Sequence, residues 1–220
     1  MATARILYVM AAEAEYGARL RARIRPLVTG VGPVEAAVST TMALFAHEAA
    51  GERPDLVVSL GSAGSATLRQ GGIYQVASVS WRDVDASPLG FRRGLTPFLD
   101  EPAEVALPTP VPDLPKARLS TGANVVSGAA AYDAVDADMV DMETHAVRRA
   151  CARFGVPMIG LRGISDGAEA LTGMSDWTRL LSVIDEGLSV AVDRLESAVV
   201  SGRIQLDALR GEAPNVAAAR

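Results

Sequence analysis

Three carboxylic acids stand directly after short apolar runs in this chain of 220 residues. Glu13 follows Ile6-Leu7-Tyr8-Val9-Met10, Glu143 follows the segment from Met139 to Met142, and Asp166 follows the segment from Val156 to Ile164. A fourth apolar run, Asp55 to Leu60, is expected to stop at the glycine-rich turn Gly61-Ser62-Ala63-Gly64-Ser65. Short apolar runs read as buried strands. Ligands of open α/β folds gather beyond the carboxyl ends of strands, so these four features are expected to meet. Carboxyls held in different surroundings can be pushed to opposite protonation states, one a proton donor and the other a base. Taken singly, each acid also has a plain structural reading. Ser165-Asp166-Gly167 is good turn chemistry, and Glu13 and Glu143 would each suit a helix N-terminus.

The elements that must position these residues alternate. Strands are expected at Ile6–Met10, around Pro26–Thr29, at Asp55–Leu60 and at Val156–Ile164, with Ile73–Val84 β-rich and weaker strands at Leu119–Val126 and Met139–Met142. Helical spacing is expected from Glu15 to Arg23. It recurs at Val34, Ala37, Val38, Thr41, Leu44 and Phe45 behind Pro33, and from Glu143 to Phe154, where Gly155 is the stop signal. A long helix capped by Ser175 is expected to turn Trp177, Leu180, Leu181, Ile184, Leu188, Ala191, Leu195 and Val199 to the core. Residues 85 to 114 are proline-rich and loop-like. Alternating strands and helices predict an α/β fold, a three-layer sandwich with a central mixed sheet flanked by helices. No internal repeat or linker divides the chain. Residues 1–202 read as a single domain and 203–220 as a frayed or disordered tail.

Composition narrows the function classes. About half of the residues are hydrophobic and the net charge is -5, with no dense basic stretch, so neither nucleic acid nor an anionic membrane is an expected partner. The single cysteine, Cys151, allows no intrachain disulfide and fits a reducing cytoplasm; it reads as a buried small hydrophobe. No cofactor is expected. Gly30-Val31-Gly32 lacks the third glycine of a dinucleotide fingerprint, because Glu35 occupies that place. The stretch Gly61 to Ser65 is not a nucleophile elbow. His47 and His145 form no ligand-spaced cluster with Cys151, so no metal site is expected; both read as structural or surface residues.

Four segments together resemble the 5′-methylthioadenosine/S-adenosylhomocysteine nucleosidases of the purine nucleoside phosphorylase-like superfamily. They are Val9-Met10-Ala11-Ala12-Glu13, Thr29 to Ala37, Gly61-Ser62-Ala63-Gly64, and the pair Asp141-Met142-Glu143 with Arg162 to Asp166. A fifth, Arg82 to Phe91, resembles the family's loop after the central strands. The resemblance implies hydrolysis of the bond between purine and ribose in 5′-methylthioadenosine or S-adenosylhomocysteine, releasing adenine. It implies that Asp166 protonates N7 of the leaving base, for which it must keep its proton near neutral pH. Glu13 is the matched residue that deprotonates the attacking water, and Glu143, beside Met142, the one that accepts the ribose hydroxyls. Ser62, Ala63, Gly64, Val125, Val126 and Ser165 would complete the substrate site. The family loop reaches a neighbouring subunit's site, which implies a homodimer with Leu89, Phe91 and Pro97 as contacts across it.

Two departures stand out. The family's β-hairpin between the first helix and the Thr29 segment is trimmed away. Gly122-Ala123-Asn124-Val125-Val126 stands where the family has an acid and a purine-stacking phenylalanine, leaving Val125 to pack aliphatically and the Val126 backbone to read the base edge. Three rival functions remain at this point. They are a phosphorolytic purine nucleoside phosphorylase, an aminodeoxyfutalosine-type nucleosidase and a non-catalytic nucleoside-binding module.

Overall fold

The computed structural model describes residues 4–209. It is an α/β fold with a mixed sheet flanked by helices, as expected. The strands are β1 (Ile6–Met10), β2 (Leu27–Val28), β3 (Leu56–Gly64), β4 (Ile73–Trp81), β5 (Glu104–Ala106), β6 (Lys116–Thr121), β7 (Met139–Asp141) and β8 (Met158–Asp166). The helices are α1 (Ala18–Arg21), α2 (Pro33–Ala49), α3 (Ala129–Asp133), α4 (Thr144–Phe154), α5 (Met174–Thr178) and α6 (Leu181–Val200).

Strands β2, β1, β3 and β8 run parallel, side by side. Strand β8 then pairs antiparallel with β4, β4 parallel with β6, and β6 parallel with β7. Strand β7 returns to β3 through the antiparallel pair Gly64–Val140, which closes β3, β8, β4, β6 and β7 into a ring. Closure brings the ends of β3, β7 and β8 together, and with them Gly64, Asp141 and Asp166.

Alternation along the central strands fills two helix-facing layers. Leu56, Val58 and Leu60 join Tyr8, Met10, Ile184, Leu188 and Leu195 in one apolar cluster, against α6. Val57 and Val9 join Leu44, Val147 and Met158 in the other, against α2 and α4. A third cluster, with Val76, Val79, Leu119, Met139 and Ile164, packs where the ring strands meet.

Four sequence expectations are corrected. The stretch Gly61–Gly64 is not a turn but the continuation of β3. It keeps its strand pairing because β8 runs alongside, with a register irregularity only at Ala63/Gly64. Helix α2 forms where expected, but its buried residues are Ala36, Thr40 and Leu44, while Val34, Val38 and Phe45 are exposed. The expected long C-terminal helix is two helices. The first is begun by Asp176, whose carboxylate accepts the N–H of Thr172 at 2.7 Å, and Trp177 packs against the main cluster, as expected of it, while also lining the space at the sheet ends. The first part of the expected tail is packed, since Ile204 is buried in the main cluster with Leu206 and Leu209 against it. The remainder, 210–220, lies outside the described residues.

Candidate active site

A cavity of about 350 Å³ opens beyond the ends of β1, β3, β7 and β8. Of the residues expected there, Ser62, Ala63, Gly64, Val125, Val126, Met142, Glu143, Ser165 and Asp166 all line it. Glu13 does not. It lies on a 3-10 turn, Glu13–Glu15, with its side chain 66% exposed and its Oε2 accepting a hydrogen bond from Arg21 Nη2 at 2.7 Å. The acid that enters the cavity is Glu15, 5% exposed. Residues two apart on so tight a helix point in well-separated directions, so only one of the pair can face the sheet. Tyr16 and Leu20, beside and beyond Glu15, are buried, whereas Arg21 pairs outward with Glu13.

Several contacts hold Glu15 in place. Buried Asp185 of α6 caps α1 by accepting the N–H groups of Arg19 at 2.8 Å and Leu20 at 3.0 Å, which fixes the segment after Glu15. Gly61 makes room, since a Cβ there would lie 3.2–3.3 Å from both Glu15 carboxylate oxygens. Ser62 donates to Glu15 Oε1 twice, from its backbone N–H at 2.7 Å and its hydroxyl at 2.6 Å. Trp177 Nε1 donates to the same hydroxyl at 2.9 Å, so the Ser62 proton is free to point at Glu15. Glu15 Oε2 is buried and has no protein partner. Burial pushes the Glu15 carboxyl above its ordinary range, while the Ser62 donors and the Arg162 charge oppose that rise.

Beneath these groups Arg162 is 2% exposed. It donates to Asp141 Oδ2 at 2.9 Å, to the Ser59 carbonyl at 3.0 Å and to Ser59 Oγ at 2.9 Å. Asp141 also accepts from Thr121 Oγ1 at 2.6 Å and from the Thr144 N–H at 3.0 Å, so both charges of this buried pair are fully bonded. Glu143, the next acid along, accepts the Gly32 N–H at 2.7 Å and the Met142 N–H at 3.3 Å. Burial, reinforced by the Asp141 charge, pushes its carboxyl up to about 7. Asp166 accepts the Ser165 hydroxyl on Oδ1 at 2.6 Å and the Tyr132 hydroxyl on Oδ2 at 3.1 Å.

At the base end, Arg82 donates to the carbonyls of Ser120 at 2.6 Å, Asp141 at 3.0 Å and Asn124 at 2.5 Å. It thereby ties the atypical 122–126 segment to the ends of β6 and β7. Val126 is buried against Tyr132 and Val140, while Val125 is 63% exposed on the rim. Arg82, Ala12, Val31, Met174 and Trp177 also line the cavity, and their part in it was not foreseen. Leu89, Phe91 and Pro97 do not line it. Leu89 is exposed, and Phe91 meets Phe98 edge-on at 5.8 Å.

Histidine 145 stacks on Trp81 at 5.5 Å and is pushed down to about 4, chiefly by burial, which fits a neutral structural residue. Cys151 is buried, as expected. Among the described residues no cluster of acids, histidines and cysteines could hold a metal, and no helix is long and apolar enough to cross a membrane.

Residues 119–186 match the family model of the phosphorylase superfamily. A 5′-methylthioadenosine/S-adenosylhomocysteine nucleosidase of Actinobacillus succinogenes is 30% identical over 166 residues, covering 68% of this chain and 70% of the relative. One of the same name from Halalkalibacterium halodurans is 28% identical over 186 residues, covering 76% of this chain and 78% of the relative. Among solved structures, a Helicobacter pylori 5′-methylthioadenosine/S-adenosylhomocysteine nucleosidase in complex with butyl-thio-DADMe-Immucillin-A superposes with a TM-score of 0.73 at 20% identity, covering 88% of this chain and 99% of that one. A futalosine hydrolase of the same organism superposes with a TM-score of 0.72 at 20% identity, covering 87% and 98%. At such identities the two structures speak for the fold.

Proposed function

Because the chain belongs to the 5′-methylthioadenosine/S-adenosylhomocysteine nucleosidase family, and is thereby a hydrolase of purine-nucleoside N-glycosidic bonds, we propose that Glu15, Glu143 and Asp166 carry its reaction. As the C1′–N9 bond breaks, its electron pair moves into the purine. The proton on Asp166 passes to N7, a water oxygen bonds to C1′, and the proton of that water passes to Glu15.

The observation that carries this reading is the unpartnered, buried Oε2 of Glu15. Beside it a second cavity of about 10 Å³, lined by Glu15, Ser62, Glu143 and Arg162, adjoins the main one. That space suits a single water among polar groups. Burial raises the Glu15 carboxyl, which makes it a stronger base toward that water. Ribose hydroxyls would donate to Glu143, and the base would lie toward Asp166 and the Val126 backbone.

Phosphate fits poorly in this place. The arginines nearby are already engaged, Arg162 with Asp141 and Arg82 with three carbonyls, and the free acceptors are carboxylates. That favours water over phosphorolysis. The acids also speak against a non-catalytic binding module, since such burial without use would be costly.

The same reading includes a homodimer. Val34, Val38, Met42 and Phe45 are 51–69% exposed, spaced to lie on one face of α2. This stripe adjoins Val31, which lines the cavity and is 57% exposed. An apolar face continuous with a pocket rim suits a second copy of the chain, whose loop with Leu89, Phe91 and Pro97 would supply an apolar wall for a 5′-alkylthio group.

The test is incubation with 5′-methylthioadenosine in phosphate-free buffer. Free adenine and 5-methylthioribose are expected, at a rate that added phosphate leaves unchanged. A sugar 1-phosphate among the products would move the chain to the phosphorolytic branch.

A further inference from the structure

Asp166 is held from behind by a residue that does not line the cavity. Tyr132, on α3, is 8% exposed, and its hydroxyl donates to Asp166 Oδ2 at 3.1 Å. Ser165 occupies the other oxygen, Oδ1, at 2.6 Å. The two donors come from different parts of the fold, one from the strand that carries Asp166 and one from the short helix after the base segment. Gly64 keeps the space between them clear. A Cβ at that position would lie 2.2 Å from the Tyr132 hydroxyl and 2.8 Å from Asp166 Oδ2. Any side chain on the end of β3 would therefore drive the phenol and the carboxyl apart. Burial and the neighbouring Asp166 both keep the Tyr132 hydroxyl protonated, so it acts here as a donor.

We propose that Tyr132 is a positioning residue for leaving-group protonation: it stabilises the carboxylate that Asp166 becomes once its proton has passed to N7. The inference rests on the reading of Asp166 as the acid. A hydrogen bond to a charged acceptor is stronger than one to a neutral acceptor. The Tyr132 bond therefore gains strength as the proton departs, in the transition state rather than in the complex with substrate. Interactions of that kind raise kcat and leave KM nearly untouched. The bond also aims Oδ2, and with it the plane of the acid, from a helix that begins three residues after buried Val126.

The test uses Tyr132→Phe, which keeps the ring and removes only the hydroxyl. With 5′-methylthioadenosine, kcat should fall by about tenfold to a hundredfold, the range of a hydrogen bond to a charged group, with KM within about threefold. With the 4-nitrophenyl glycoside of 5-methylthioribose, whose leaving group departs as an anion and needs no proton, the same variant should turn over at nearly the parent rate. A merely structural role would slow both substrates alike. Equal losses on the two, or no loss on either, overturn the role of Tyr132. Asp166→Asn, run in parallel, reports on the premise. It should abolish adenine release while sparing the nitrophenyl glycoside, and near-parental adenine release would overturn the assignment of the acid itself. If Tyr132→Phe melts far below the parent protein, site-specific 3-fluorotyrosine at position 132 carries the test. As a stronger donor it should speed adenine release and leave the nitrophenyl substrate unchanged, and no difference from the parent overturns the proposal.

Discussion

On the floor of the pocket Arg162 and Asp141 are buried at 2% and 7% exposure, held by strands and bonded to one another. On the rim Val31, Val125 and Met174 are 57–69% exposed and come from loops or the start of a short helix. The two regions answer to different physical demands. A floor that handles protons must fix oxygens within a fraction of an ångström, and a closed ring of paired strands does that. A rim that receives an apolar substituent needs area more than geometry, and it gains area most readily from loops and neighbours. Changes on the floor should therefore alter rate, and changes on the rim should alter affinity and substrate preference.

The sharpest way to break this comparison lies in two acids of one 3-10 turn. Glu15→Gln should lower adenine release by about 10²–10⁴, because the water loses its base. Glu13→Gln removes only an exposed pair with Arg21, and such pairs contribute about 0–1 kcal/mol to stability, so activity should be unchanged within twofold or so. Rate and thermal melting measured on both variants decide the matter. A silent Glu15→Gln beside a damaging Glu13→Gln would remove Glu15 from the chemistry.

Glu143 stands between floor and rim, and its effect should be smaller and pH-dependent. Its carboxyl sits at about 7 in the folded protein, against 4.5 for an ordinary glutamate. Ribose hydroxyls donate best to the ionised form. Nucleoside binding should tighten by roughly tenfold between pH 6 and pH 8 and should release a proton below pH 7. Glu143→Gln should flatten that trend, and should cost a 2′-deoxy substrate less than the ribo substrate. In the absence of ligand the sign is opposite. The folded state keeps this proton to higher pH than the unfolded chain does, so its contribution to stability is present at low pH and lost as pH rises through 7. Calorimetric titration in buffers of differing ionisation enthalpy reads the proton directly. A pH-independent Kd would remove Glu143 from ribose recognition.

How much of this was legible in the sequence follows the same division. Strands β1, β3 and β8 are apolar runs set by burial on both faces, and Asp166 follows from β8 by position alone, as Glu143 does from the weaker strand β7. The choice between Glu13 and Glu15 depends on one tight turn, whose phase no strand or helix period reports. Trp177 lies at helical spacing with the α6 core residues and packs with them, but that spacing says nothing of its indole N–H, which reaches Ser62. Tyr132 has no sequence signal as a partner of Asp166, because ring closure through β7 brings together residues 34 positions apart. On α2 the period was right and the face ambiguous, since the helix has apolar residues on two sides.

That second side of α2 gives the smallest expected effect. Met42 is 67% exposed, and Met42→Asp removes no buried contact within the chain. Surface changes of this kind leave folding within about 0.5 kcal/mol, so melting of the isolated chain should hardly move. In a C₂ pair an α2 face near the axis would meet its own copy, and two aspartates would then face each other across an apolar contact. Dimerisation should weaken. If the partner's loop completes the rim, the KM for 5′-methylthioadenosine should rise several-fold while that for adenosine, which lacks the alkylthio group, stays close to the parent value; kcat should hold, because Glu15 and Asp166 belong to the same chain and to the floor. Sizing at the concentrations used for kinetics gives the association state alongside. A parent protein that runs as a monomer with the full preference for the methylthio substrate would make the rim self-sufficient, and would turn the α2 stripe into a surface with no part in catalysis.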